Sequence, residues 1–350
     1  MKIINCHIHT FTTAHVPLYF PFQAVAAFRK MPGLVKLLRW VTSILPWENL
    51  HDWMLRMENF HDTSRRRCQE DILREVLCHY PGDTKFVVLP MDMAEIGFGP
   101  VEEDIDEQHD ELAEICRKDQ FKDRVIPFAS VFPPRANAAS EFRRCVENHG
   151  FKGLKLYPKL GFAPDHPVLM NEIYPLCVEH NIPVVSHCSR GGVYGKGWNG
   201  ARGDAVTDPH AFLPVLKAFP DLRVCLAHFG GDAEWADYMN KGFDPLNPAA
   251  RRENWVAAIA DLIRSGDYPN LYTDISYTIF KFNEYMPLLA LFLEDPKLKE
   301  RVLFGSDFYM TRQEHLSEKA VSIRLREHLG EDCFCQIAEK NPRVWLGEEA

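Results

Sequence analysis

Short apolar runs rich in β-branched residues recur along the chain, at Lys2–His9, Lys85–Met91, Arg124–Val131, Gly153–Tyr157, Ile182–His187, Arg223–His228, Leu271–Ile275 and Arg301–Gly305. Runs this apolar suit strands covered on both faces. Between them, apolar residues return at the spacing of an amphipathic helix, as in Asp106–Lys118, Ala138–Asn148, Val168–His180 and Ala249–Arg264. Strict alternation of strand and helix implies a parallel sheet, and eight such units predict an α/β fold of the (β/α)8 TIM-barrel type. An open doubly wound sheet is the competing arrangement, but the glycine fingerprint expected after its first strand is missing.

Two connections are longer than a barrel unit needs. The first, Thr10 to Thr84, holds one unit's helix and an insertion in which Gln23–Lys30, Leu34–Leu45 and Asn49–Met57 read as short amphipathic helices rich in Phe, Trp, Leu and Met. The organisation expected is a single barrel over 1–350 with a helical cap over 11–61. Such a cap packs on the barrel, and it also suits a pocket wall or the interface of a homodimer. The second connection follows His187 and is rich in glycine, which lets backbone approach a ligand closely. It lacks the Walker pattern but carries Arg190, Trp198 and Arg202, and an arginine fork is suited to a substrate carboxylate.

The polar residues at the strand ends carry the chemistry. His7 and His9 close the first strand, His187 the fifth, His228 the sixth and Asp307 follows the eighth. In a (β/α)8 barrel these ends form one mouth. Side chains alternate along a strand, so His7 and His9 share a face with Asn5, while Cys6 points away toward the surrounding helices. Imidazoles and a carboxylate converging there make a metal site. Asp274, ending the seventh strand, is placed to orient a ligand histidine by a hydrogen bond. His15, His51, His61, His109 and His210 lack a strand-end setting and read as surface or loop residues, and Glu102-Glu103-Asp104 as a solvated helix start.

Composition narrows the partners. A formal charge of −9 argues against nucleic acid or an anionic membrane surface and leaves a small-molecule substrate. The most apolar stretch, Gly33–Trp47, is interrupted by Lys36 and Arg39, too soon to span a bilayer. The first strand begins at Lys2, which leaves no room for a removable leader, so free thiols and a cytoplasmic location are expected for a chain with ten cysteines. Cys6 and Cys188 read as packing residues, and Cys333-Phe334-Cys335 lacks the second pair of a zinc signature.

Taken as a set, Cys6-His7-Ile8-His9, Gly150 through Pro158, Pro183-Val184-Val185-Ser186-His187, Ala227-His228-Phe229-Gly230-Gly231, Tyr272 through Ser276, Leu303 through Asp307 and Gln336 through Pro342 resemble the amidohydrolase superfamily, in its amidohydrolase-2 branch. The resemblance implies a divalent metal, usually zinc, with His7, His9 and His187 as ligands and Asp307 on the metal or the attacking water. It implies that His228 is an acid–base or carbonyl-polarising group, or a ligand to a second metal. Lys155 sits near the position of a carboxylated bridging lysine in two-metal members, although one metal with Lys155 lining the pocket is the expectation here. The donor set also admits Mn, Fe or Co. A metal lowers the pKa of water from about 15.7 to about 7. Asp307 would take that water's proton while His228 hydrogen-bonds the carbonyl oxygen. Hydrolysis of an amide, lactone or ester of a small, carboxylated substrate is then the leading reaction. Non-oxidative decarboxylation of an aromatic or unsaturated acid is the alternative, since similar proteins of this branch are decarboxylases. Lys155, Tyr157, Arg190, Trp198 and Arg202 are the expected substrate contacts, with Tyr309 and Arg312 as further lining.

Overall fold

A computed structural model describes residues 1–23, 64–240, 242–278, 282–309 and 317–348. Eight parallel strands follow one another around a barrel in chain order: β1 (Ile4–Ile8), β2 (Lys85–Val88), β3 (Val125–Ser130), β4 (Gly153–Leu156), β5 (Val184–Ser189), β6 (Val224–Gly230), β7 (Leu271–Asp274) and β8 (Val302–Leu303). The seam between β8 and β1 is joined by Cys6 N–H to the Phe304 carbonyl, 2.8 Å, and Asp307 N–H to the His7 carbonyl, 2.9 Å. The barrel reading therefore holds, and the open sheet is excluded. The helices of the proposed cap lie outside the described residues, as do His51, His61 and Arg312. Among the described residues, no helix is long and apolar enough to cross a membrane. All ten cysteines are free thiols.

The barrel interior is filled by Ile4, Cys6, Val87, Leu89, Phe128, Val185, Cys225, Ala227, Tyr272 and Leu303, and closed by Trp345 of the helix Asn341–Leu346. Asn341 holds that helix under β8, donating to the Lys299 and Val302 carbonyls at 2.7 Å each. Cys6 is thus inside, against the expectation from strict alternation. The cause is an irregularity in β1: Asn5 pairs with Phe86, yet Ile8 pairs with Val88, so the ladder slips between them. An extra residue resets the parity of a strand. Asn5 is turned outward as a result, onto Tyr80 and Ser306, while His7 still reaches the mouth.

The outer helices follow their caps. Asp104 caps Ile105–Arg117 through a reciprocal box with Glu107, so the acidic run before it starts a helix. The helix expected over Ala249–Arg264 is two, Pro248–Glu253 and Trp255–Ser265. Asn254 breaks it by adopting an extended backbone and accepting from Ala257 N–H at 3.1 Å.

Two histidines expected at the surface are buried, His15 at 2% and His109 at 0% exposure. His109 ties two helices to β3: its Nε2 accepts from Ser130 N–H at 3.0 Å, and its Nδ1 donates to Glu141 at 2.7 Å. Arg144 also donates to Glu141, from Nε at 2.7 Å. Burial alone would raise the Glu141 carboxyl, but these hydrogen bonds from His109 and Arg144 outweigh it and hold the group down to about 2. A depressed carboxylate adds stability that is present above its unfolded value of 4.5 and lost as pH falls toward about 2. Glu141→Gln is therefore expected to lower unfolding free energy at neutral pH by about 1–3 kcal/mol. Denaturant unfolding at a series of pH values should show a flatter acid limb in the variant, and an unchanged limb would refute the assignment.

Candidate metal centre at the barrel mouth

The strand ends bring the four histidines together. The ring centroid of His7 lies 5.2 Å from that of His9 and 4.9 Å from that of His228, and His187 lies 4.9 Å from His228. Lys155 of β4 reaches in from below, its Nζ 3.5 Å from His7 Nε2. Asp307 arrives from beyond β8 and is bonded through its backbone to His7. Gly305, just before it, has no room for a side chain, because a Cβ there would sit 2.7 Å from His7 Cβ.

Each ring gives its outer nitrogen to an acceptor the fold fixes. His7 Nδ1 meets Asp274 Oδ2 at 2.9 Å, and His9 Nδ1 the Leu89 carbonyl at 2.7 Å. His187 Nε2 meets the Gly191 carbonyl at 3.1 Å, and His228 Nδ1 the Ser276 carbonyl at 3.1 Å. Burial first, and then neighbouring charge, holds these rings neutral: His9 is lowered to about 3, and His7, His187 and His228 well below the ordinary histidine value. A neutral imidazole has one N–H, here committed outward, so each inner nitrogen carries a lone pair. His187 Nδ1 and His228 Nε2 face each other at 3.0 Å. Two lone pairs at that distance repel unless a cation lies with them. Asp307 Oδ1 adds a buried oxygen with no hydrogen-bond partner among the described residues.

Nitrogen and carboxylate donors of this kind fit a divalent metal. Ligand-type atoms within 4.8 Å of one another occur in three groups among the described residues. Two of these are spoken for. His109 Nε2 and His15 Nδ1 both accept backbone N–H groups, at 3.0 and 2.9 Å, so their remaining nitrogens are donors. The third group, His7, His228 and Asp274, lies at the mouth.

Asp274 is the hub expected from sequence and more. Besides His7 it accepts His228 N–H at 2.9 Å, Ser276 N–H at 3.0 Å and the Ser276 hydroxyl. That grip sustains a backbone φ of +72° at His228, and Asp307 likewise sits at +52°. Left-handed backbone at a non-glycine residue costs on the order of 1–3 kcal/mol and concentrates at functional sites. With Nδ1 on the Ser276 carbonyl, His228 presents a lone pair at Nε2, which accepts a proton or a cation.

Of the expected substrate contacts, Lys155 and Tyr157 touch the histidines, the Tyr157 ring stacking on His187 at 4.0 Å. Gly192 lets the following loop close over this pair: a Cβ there would fall 2.1 Å from Tyr157 Oη. Arg190 is engaged elsewhere, on Glu234 at 2.6 Å and over Trp255. Arg202 stacks on Trp198 at 3.9 Å. Tyr309 is buried against Phe11 and bonds its carbonyl. The Leu89 and Gly191 carbonyls escaped sequence reading because a backbone acceptor has no residue signature. Ser276 had one, a hydroxyl two positions beyond Asp274.

A family model described as Amidohydrolase, of the amidohydrolase-2 type, matches residues 4–347. The chain belongs to the amidohydrolase-2 family. No curated protein matches this chain. Among solved structures it is similar to an uncharacterised TIM-barrel protein from Bordetella bronchiseptica, at 16% identity and TM-score 0.55 over 99% of each chain. A probable 2-pyrone-4,6-dicarboxylic acid hydrolase from Acinetobacter baumannii matches at 14% identity and TM-score 0.56, over 99% of this chain and 100% of that one. A 5-carboxyvanillate decarboxylase from Novosphingobium aromaticivorans, complexed with manganese, matches at 16% identity and TM-score 0.56, over 99% and 96%. At these identities the likeness is one of fold, and these neighbours include a probable hydrolase and a decarboxylase.

The tautomer assignment is testable. In Asp274→Asn the new amide can turn its NH2 toward His7 Nδ1, moving the ring proton to Nε2. Metal affinity should fall about 10–100-fold. Competition against a chromophoric chelator measures it, and an unchanged affinity would exclude the assignment.

Proposed function

We propose that this amidohydrolase is a metal-dependent hydrolase of an amide, lactone or ester bond in a small, carboxylated substrate. The observation that carries the reading is that His7, His9, His187 and His228 each place one ring nitrogen on an oxygen acceptor, beside an Asp307 Oδ1 with no hydrogen-bond partner among the described residues. His7, His9, His187 and Asp307 would hold the ion. Zinc is the first candidate, and manganese is supported by the decarboxylase of the same fold. When bound, the metal supplies Lewis acidity toward a carbonyl and toward water.

The residues then divide the work. Burial pushes the Asp307 carboxyl up to about 7, against the opposing pull of Lys155. A group poised there suits taking a proton from attacking water and returning it to the leaving group. His228 Nε2 is a second proton acceptor beside it. Lys155, fully buried and lowered to about 8 by that burial, faces the mouth without a carboxylate hydrogen bond among the described residues, and a substrate carboxylate supplies one. Tyr157 presents a phenol and a ring face next to His187.

Decarboxylation is the second reading, favoured by the decarboxylase of the same fold: Asp307, once it has taken up a proton, could pass it to carbon as carbon dioxide leaves. Metal-loaded protein in 18O-labelled water separates the two. Hydrolysis places label in the new carboxylate, whereas carbon dioxide release with no label in the organic product makes it a lyase. Asp307→Asn should cut turnover by about 10²–10⁴-fold. Turnover near wild type in that variant would remove Asp307 from the chemistry.

A further inference from the structure

Behind the mouth, on the helix side of β1, the fully buried side chain of Asn5 joins β1, which carries His7, to the segment after β8 that carries Asp307. Its Oδ1 accepts His7 N–H at 3.3 Å and Ser306 N–H at 3.1 Å. Its Nδ2 donates to Ser306 Oγ at 2.8 Å and Tyr80 Oη at 3.3 Å, and Tyr80 in turn donates to buried Glu318 at 2.7 Å. The two backbone N–H groups leave the amide one orientation, oxygen toward the seam.

The seam is where the barrel has least backbone to spare. β8 is two residues long, and β1 slips against its other neighbour, β2. The Asp307 N–H bond to the His7 carbonyl ties the two residues through backbone, and the Asn5 oxygen adds a side-chain clamp on the amides of His7 and Ser306. We infer that Asn5 is a positioning residue for the metal centre, setting the separation of His7 and Asp307 through its carbonyl oxygen, with Tyr80 and Glu318 holding the amide's orientation. The inference rests on the metal-centre reading above and adds to it a residue that touches neither metal nor substrate.

The test compares wild type, Asn5→Leu and Asn5→Asp as full-length apoprotein titrated with Co²⁺ against a chelator, with visible spectra of the loaded forms and apoprotein melting recorded alongside. Leucine fills similar volume but accepts no hydrogen bond, whereas aspartate keeps both acceptor bonds. Asn5→Leu should weaken Co²⁺ binding about 10–100-fold and change its d–d bands while the apoprotein still melts cooperatively. Asn5→Asp should stay within about threefold of wild type, because the acceptor bonds survive. Wild-type affinity and spectrum in Asn5→Leu would overturn the inference, as would equal losses in both variants, which would mean that packing or the donor half matters. If Asn5→Leu does not fold, Tyr80→Phe decides: a severalfold loss supports the inference and no change overturns it. A wild-type chain that binds no Co²⁺ would instead sink the metal-centre reading itself, and the inference with it.

Discussion

The hydrogen bond from His7 Nδ1 to Asp274 fixes a tautomer, and the site depends on tautomers being fixed. An imidazole is useful to a metal only through the nitrogen that lacks a proton, and which nitrogen that is depends on what the other one meets. At the mouth every outer nitrogen meets an oxygen, from Asp274, Leu89, Gly191 or Ser276. At His15 and His109 a backbone N–H meets the ring instead, and the same residue type becomes a structural brace. Burial makes the distinction firm, since a neutral ring has no spare proton with which to blur it. The chemistry of each histidine is thus decided by one neighbouring atom, donor or acceptor.

Those oxygens come from the barrel's geometry. Leu89 lies just past β2, beside β1, and its N–H bonds the Ile8 carbonyl while its own carbonyl takes His9. Gly191 stands on the turn that leaves β5, the strand bearing His187 itself, and Ser276 on the turn that leaves β7, next to β6 and His228. Parallel strands gather their C-terminal ends and the turns that leave them at one mouth, so a carbonyl from a strand's own turn or from its neighbour lies beside His9, His187 and His228. The cost is local: positive φ at His228 and Asp307, and a slipped ladder in β1. Asp274 offsets part of it by accepting the His228 amide as well as the His7 ring.

How much of this was legible in the residues follows from what leaves a mark on sequence. Strand–helix alternation marks every unit, so the eight strands and their order were readable. The position of His7, His9, His187, His228 and Asp307 at strand ends marks the mouth, and an Asp ending β7 marked the residue that orients a ring. Parity failed at Cys6 and Asn5, because a bulge has no composition of its own and one slipped residue exchanges inside for outside. His109 was misplaced because its partners, Glu141 and Ser130, are brought to it by tertiary packing. The arginines of the loop after β5 suggested a carboxylate fork, yet Glu234 and the Trp198 and Trp255 rings engage them. A cation in sequence says nothing about which partner reaches it first.

Lys155 and Asp307 bring these threads to the reaction. Both are buried, and burial drives each toward its neutral form: the amine down to about 8, the carboxyl up to about 7. Each also favours the other's charge, so the two pull against the desolvation that neutralises them. A divalent ion held by the inward lone pairs would change that balance, stabilising the carboxylate of Asp307 and opposing the ammonium of Lys155 across the 3.5 Å to His7 Nε2. A substrate carboxylate acts in the reverse sense, restoring charge to Lys155. Under the function proposed above, an anion on the substrate would therefore suit this mouth, whether the bond broken is to carbon dioxide or to an acyl group.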